Sequence, residues 1–169
     1  MGLFDGIADT GRDAETLSNR RDPTSGGWLD ASDAARHIAA SAEAAYRFGN
    51  LPAQALGLAH EITHPGPGAL MDWENNALGA DLGARLTRGQ IEARMRETGQ
   101  EFDDARRDLI VELAVGYSRT PAAVHYGRAL RSPDQIDLVY EMARQRPRAH
   151  VPHTGMLSGA LNWLTKPRF

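Results

Sequence analysis

Residues 49–68 read GNLPAQALGLAHEITHPGPG. Pro52 suits the first turn of a helix, where its missing N–H has no intrahelical partner, and Asn50 precedes it as a start signal. The Pro-Gly-Pro-Gly run at residues 65–68 cannot continue a helix. The stretch therefore predicts one helix from about Asn50 to His64.

Similar start and stop signals continue in both directions, and no segment shows the strict apolar-polar alternation of a half-buried strand. Upstream, Asp30 or Ser32 can cap a helix that runs to about Phe48 and stops at Gly49. Downstream, Thr87 and Gln90 form a plausible capping box, and the predicted helices cover about residues 69–86, 87–99 and 100–117. Two further helices are predicted to open at Thr120-Pro121 and Ser132-Pro133.

These signals predict an all-α fold, an irregular bundle of six to seven helices with N- and C-terminal arms. A chain of 169 residues is long enough for one domain with a substantial core. Residues 1–29 are predicted to form an N-terminal arm and linker, and residues 30–145 the helical domain. Residues 146–169 are predicted to form a C-terminal arm with a short amphipathic helix.

The composition excludes several classes of site and location. There is no cysteine, so disulfides, thiolate metal sites and cysteine nucleophiles are excluded. Any metal would need His, Asp or Glu as ligands. No run approaches the length of a membrane span, and the N-terminus lacks the order of a signal peptide. We expect a soluble protein.

Charge is distributed unevenly along the chain. Residues 119–169 carry eight Arg or Lys and three Asp or Glu, a net +5, which leaves −8 for residues 1–118 because the whole chain carries −3. The basic third is expected to meet an acidic partner. Its arginines lack a groove-reading motif and stacked aromatics, so a subunit contact is preferred to nucleic acid, which stays open. We expect the terminal arms to bind neighbouring subunits in a homo-oligomer.

The HEITH sequence at residues 60–64 carries the strongest chemical signal. His60 and His64 lie one turn apart on a helix with Glu61 beside them, the arrangement that binds zinc and supplies a general base. Zinc also needs a third ligand and an open position. The sequence predicts His60, His64 and Asp72 as metal ligands and Glu61 as the base.

A metal-free interpretation uses the same region differently. His60 or His37 acts as general base, oriented by Asp72 or Glu61, and the Asn75 and Asn76 amides donate to a developing negative charge. These residues could equally be structural, since buried amides bridge helices and buried histidines are usually hydrogen-bonded. The sequence leaves these interpretations open.

The pattern Arg36-His37, Ala59-His60-Glu61, Met71-Asp72 and Asn75-Asn76-x-x-Gly79 resembles an uncharacterised family of small helical domains. Such domains occur in phage proteins and at the C-termini of bacterial wall-associated or polymorphic-toxin proteins. The resemblance covers about residues 30–90. It implies that six side chains converge on one site, namely His37, His60, Glu61, Asp72, Asn75 and Asn76. It implies no established reaction, and the family pattern does not include a histidine at the position of His64.

Two functions are expected from these residues and from the resemblance, for a protein in a virion or in the bacterial cytoplasm. The first is a small helical hydrolase-like domain of phage or toxin type, metal-assisted through the HEITH sequence. The second is a non-catalytic phage virion or assembly component whose polar cluster holds helices together.

Overall fold

The computed structural model describes residues 3–23, 30–63, 68–120 and 123, and within them the protein is an irregular helical bundle. The predicted all-α class is confirmed, because these residues contain helices and no strand. The helices are α1 (Leu3–Arg21), α2 (Ala31–Phe48), α3 (Asn50–Thr63), α4 (Ala69–Arg85), α5 (Arg88–Thr98) and α6 (Phe102–Ser118).

Local capping interactions fix the ends of α2 and α5 where the sequence predicted them. The Asp30 carboxylate accepts hydrogen bonds from the backbone N–H groups of Ser32 and Asp33, at 2.8 and 3.2 Å. Thr87 and Gln90 form the predicted capping box of α5, which ends at Gly99 with φ +73°. These interactions satisfy N–H groups that have no partner inside the helix.

The residues expected to form an N-terminal arm include α1, which packs along α2 and α6. Thr10, Ala14 and Ser18 are buried and four residues apart, so they lie on one face of the helix. Gly11 permits a close approach, since a Cβ there would lie 3.1 Å from the Arg36 carbonyl oxygen. The buried stripe consists of small residues, so it lacked the large apolar side chains that usually mark a core helix.

Helix α2 lies at the centre of the bundle and contacts α1, α3, α4 and α6. Its alanines make the contact surface smooth, so neighbouring helices approach closely. The main apolar core consists of Ala14, Ala35, Ile38, Ala39, Ala42, Ile110, Val111, Ala114, Val115 and Ala123.

Two glycines of α4 bring its backbone against that of α2. A Cβ at Gly79 would lie 2.2 Å from the Ile38 carbonyl oxygen, and one at Gly83 would lie 2.0 Å from the Ala42 carbonyl oxygen. Both helices therefore run in the same direction, since the contacts follow the same order along each. Any larger residue would force them apart.

A buried ionic cluster joins α2 to α6. Glu43 is 1% exposed, and it accepts hydrogen bonds from Arg106 Nη2 at 3.0 Å and from Arg47 Nε at 2.6 Å. Arg106 also lies over the Tyr46 ring, 5.4 Å from its centroid. This cluster fixes the position of α6 against α2.

Some predictions fall on other parts of the chain. The helices expected to open at Thr120-Pro121 and Ser132-Pro133 and the C-terminal arm at residues 146–169 lie outside the described residues. None of the six described helices is both long enough and apolar enough to span a bilayer.

Candidate metal centre and adjoining cavity

The close approach of α2 and α4 places His37 beside Asp72. His37 Nε2 lies 3.2 Å from Asp72 Oδ1. Although the distance is short, this contact lacks hydrogen-bond geometry, and Asp72 Oδ1 is a buried oxygen that accepts no hydrogen bond. A buried carboxylate oxygen without a donor is costly unless a cation or a proton compensates it.

Asp33 completes a group of three at the same place. Its Oδ1 lies 3.7 Å from His37 Nε2. Among the residues that the structure describes, Asp33, His37 and Asp72 are the one group whose ligand atoms lie within 4.8 Å of one another. Sequence reasoning missed Asp33, although its spacing of four residues from His37 on a helix placed both on one face.

Arg36 already supplies a positive charge to this group. Its Nη2 contacts Asp33 Oδ1 and lies 3.2 Å from His37 Nε2. A guanidinium only donates hydrogen bonds, so His37 Nε2 is the acceptor and the imidazole is neutral. One arginine nitrogen therefore occupies the space between two members of the group.

The pKa values of the pair shift in opposite directions. Burial, followed by the negative charges of Asp33 and Glu61, raises the pKa of Asp72 to about 8. Burial lowers the pKa of His37 to about 4, and the neighbouring Asp33 carboxylate acts in the opposite direction. Burial is the largest cause of both shifts, because it disfavours the charged form of each group.

A second set of contacts connects this group to α3. Asn76 Nδ2 donates to Glu61 Oε1 at 3.2 Å, and Ser41 Oγ donates to Asn76 Oδ1 at 2.9 Å. Asn76 also acts on His37, since it opposes the lowering of the His37 pKa. The structure thus brings together His37, Asp72, Asn76 and Glu61 from the set that the resemblance implied.

The remaining predicted site residues are placed differently. Within the HEITH sequence, Glu61 is buried and His60 is exposed, so the two side chains face different surroundings. His60 does not belong to the described group of three ligands, although its charge bears on His37. Asn75 is fully buried. His64 lies outside the described residues.

The Asp33, His37 and Asp72 group has the donor types for a divalent cation and could hold one if Arg36 Nη2 moved aside. Ligand atoms around a tetrahedral zinc with bonds of about 2.0 Å are about 3.3 Å apart. The His37 distances of 3.2 Å to Asp72 and 3.7 Å to Asp33 are close to that value. Two carboxylates and one imidazole suit zinc, manganese or iron.

An open cavity of about 650 Å³ adjoins this group, between α1, α2 and α3. His37 and Arg36 belong both to the polar group and to the cavity wall. His60, Ser41 and Asn76 add further polar atoms to the wall. A cavity of this size with a few convergent polar groups is typical of small-molecule sites.

No family model, curated protein or solved structure matches this chain.

Proposed function

We propose that the protein is a small helical hydrolase-like domain with a divalent metal centre formed by Asp33, His37 and Asp72. The observation that supports this most directly is the buried Asp72 Oδ1, which accepts no hydrogen bond and lies 3.2 Å from His37 Nε2. A divalent cation between them would compensate the carboxylates of Asp33 and Asp72.

The contacts suggest a role for each residue. Asp33, His37 and Asp72 hold the cation, which supplies Lewis-acid polarisation of a substrate oxygen. Glu61 is the nearby carboxylate to which we assign the general base, and Asn76 orients it through the 3.2 Å hydrogen bond. This assignment replaces His60 and His64 by Asp33 and His37 among the proposed ligands and retains Asp72 and the proposed role of Glu61.

Metal binding is the direct test. Purified protein is treated with a chelator, dialysed, and titrated with Zn²⁺, Mn²⁺ or Mg²⁺ in a calorimeter. We expect one ion per chain for at least one of these metals. Asp72→Asn and His37→Ala are each expected to weaken binding at least tenfold, because each removes a ligand.

The matched control is Asp104→Asn, an exposed carboxylate on α6, which should leave metal affinity unchanged. Circular dichroism of each variant checks that the fold is intact. If the parent binds no metal in stoichiometric amount, the metal centre is rejected. Hydrolysis assays on ester, phosphoester and glycoside substrates then test activity with the metal that binds.

The position of Arg36 favours a second candidate, a metal-free acid–base site. Its Nη2 already contacts Asp33 and lies 3.2 Å from His37 Nε2, so a cation is present without any metal. In that case neutral His37 is the general base, and a hydrolytic activity would persist in chelator. Loss of activity in chelator, restored by added metal, would exclude this second candidate.

The biological setting remains part of the proposal. The pattern that runs from Arg36 to Gly79 supports a phage or toxin context. An adjacent immunity gene would favour a toxin, and neighbouring head or tail genes a virion. For a non-catalytic virion component we expect variants of Asp72 and Asn76 to change stability without any detectable activity.

A further inference from the structure

The cavity between α1, α2 and α3 has walls of two chemical kinds. Ile7 and Leu56 provide apolar surface, and Leu56 is 42% exposed although it is a large hydrophobic side chain. Leu56 therefore offers an apolar contact that the described part of the chain leaves open to a ligand. An apolar body of a small molecule would be favoured against this wall.

The charged side chains of the cavity wall favour a negatively charged ligand. Among the described residues, the wall contains the guanidinium groups of Arg12 and Arg36 and a single carboxylate, that of Glu15, while the imidazole of His37 is neutral. Arg36 contacts Asp33 and His37 through Nη2, one corner of a guanidinium that carries five N–H donors. An oxyanion in the cavity can therefore be bound without removing Arg36 from Asp33.

We propose that this cavity binds a small amphiphilic anion, a molecule with an apolar body and one phosphate or carboxylate group. Arg36 and His60 bind the anionic group beside His37, and Leu56 and Ile7 contact the apolar body. This inference rests on the proposed function in treating the anion as the substrate class of that centre. Binding itself does not need the metal, so it can be measured separately.

The test is calorimetric titration of the full chain, with and without the bound metal, using four probes. Phenylphosphonate and benzoate combine an apolar ring with an anionic group, benzyl alcohol lacks the charge, and inorganic phosphate lacks the ring. We expect at least one of the first two to bind at least tenfold more tightly than both controls. Which of the two binds more tightly distinguishes a phosphate from a carboxylate ligand.

Two pairs of variants locate the site. Arg36→Gln should weaken binding about tenfold, and Arg85→Gln, on the exposed surface of α4, should have no effect. Ala8→Trp places a bulky side chain in the cavity and should abolish binding. Ala55→Trp, an exposed position on α3, should not.

The outcomes separate this inference from the proposed function. If benzyl alcohol or inorganic phosphate binds as tightly as both amphiphilic anions, or if neither anion binds with or without metal, the inference is wrong. Stoichiometric metal binding without anion binding leaves the metal centre standing and rejects the cavity ligand. Anion binding that Ala8→Trp abolishes, in a protein that binds no metal, supports the cavity site and rejects the metal centre.

Discussion

Asp72 Oδ1 lies 3.2 Å from His37 Nε2, and the close contact of α2 and α4 at Ile38 and Gly79 comes directly after His37 on α2. The contact of Gly79 with Ile38 lies seven residues beyond Asp72, which is about two turns of α4. The glycines thus fix the separation of the helices, and this separation sets the distance between His37 and Asp72. This arrangement links packing in the core to the chemistry of the site.

The opposite pKa shifts of His37 and Asp72 predict how the stability of the metal-free protein depends on pH. The pKa of Asp72 rises from 3.8 to about 8, so its proton favours the folded state and this stabilisation is lost as pH rises towards 8. The pKa of His37 falls from 6.5 to about 4, so its contribution increases between pH 4 and 6.5. Between pH 4 and 6.5 the contributions of Asp72 and His37 to stability change in opposite directions. Above pH 6.5 only the contribution of Asp72 still changes.

We therefore expect the metal-free protein to lose about 2 kcal/mol of unfolding free energy between pH 6.5 and 8, relative to Asp72→Asn. Urea denaturation of both proteins in chelator at several pH values measures this difference. Subtracting the unfolding free energy of the variant from that of the parent removes the contribution of groups elsewhere in the chain. A constant difference across this range would show that Asp72 is already ionised at pH 6.5.

Because α2 and α4 are in close contact, we expect that one added methyl group between them lowers the stability of the protein strongly. Gly79→Ala should destabilise the protein by about 3 kcal/mol, because its Cβ would meet the Ile38 carbonyl oxygen at 2.2 Å and the helices must separate. Metal affinity should fall as well, since Asp72 moves away from His37. Thermal and urea denaturation measure the first effect and calorimetry the second.

Gly89→Ala is the matched control for this substitution. Gly89 lies in α5, and a Cβ there would meet no heavy atom within 4 Å. The control should be neutral or slightly stabilising, by up to about 1 kcal/mol, because alanine has the higher helix propensity. Equal effects of the two substitutions would contradict the packing argument.

Most of the fold was predictable because the signals that bound the helices act over a few residues. Asp30 caps α2, Gly49 ends it, and Thr87 with Gln90 begins α5, all as the sequence indicates. Helix α1 was not predicted, because its buried face consists of residues such as Thr10 and Ser18 that are common in loops. Their burial depends on the smooth surface of α2, which is a property of the assembled bundle.

The site was predictable in part for a related reason. His37, Asp72 and Asn76 were singled out and lie together. The sequence could not tell which of the neighbours His60 and Glu61 faces inward, since consecutive helical residues are about 100° apart and tertiary packing selects the buried face. Asp33 was missed because an acidic residue in the first turn of a helix is common without a ligand.

The proximity of Arg36 to the ligand group predicts that it competes with a bound metal. Its Nη2 contacts Asp33 and lies 3.2 Å from His37 Nε2, so a cation at the centre must displace it or be repelled by it. Arg36→Gln should therefore increase metal affinity about tenfold, because it removes one positive charge at short range. Calorimetric titration with the same metal measures the change. Weaker metal binding in this variant would show that Arg36 supports the centre.

The buried Glu43 predicts a stability effect that is independent of the site. Glu43→Gln keeps the shape of the side chain but leaves Arg106 and Arg47 around a neutral amide, so we expect a loss of about 3 kcal/mol. Glu92→Gln is the control, because its ion pair with Arg88 is exposed to solvent and should contribute little to stability. Urea denaturation measures the stability of both variants.

Metal affinity should stay unchanged in Glu43→Gln, since this cluster fixes α6 and not α4. A reduced affinity would mean that the position of α6 controls the contact between α2 and α4.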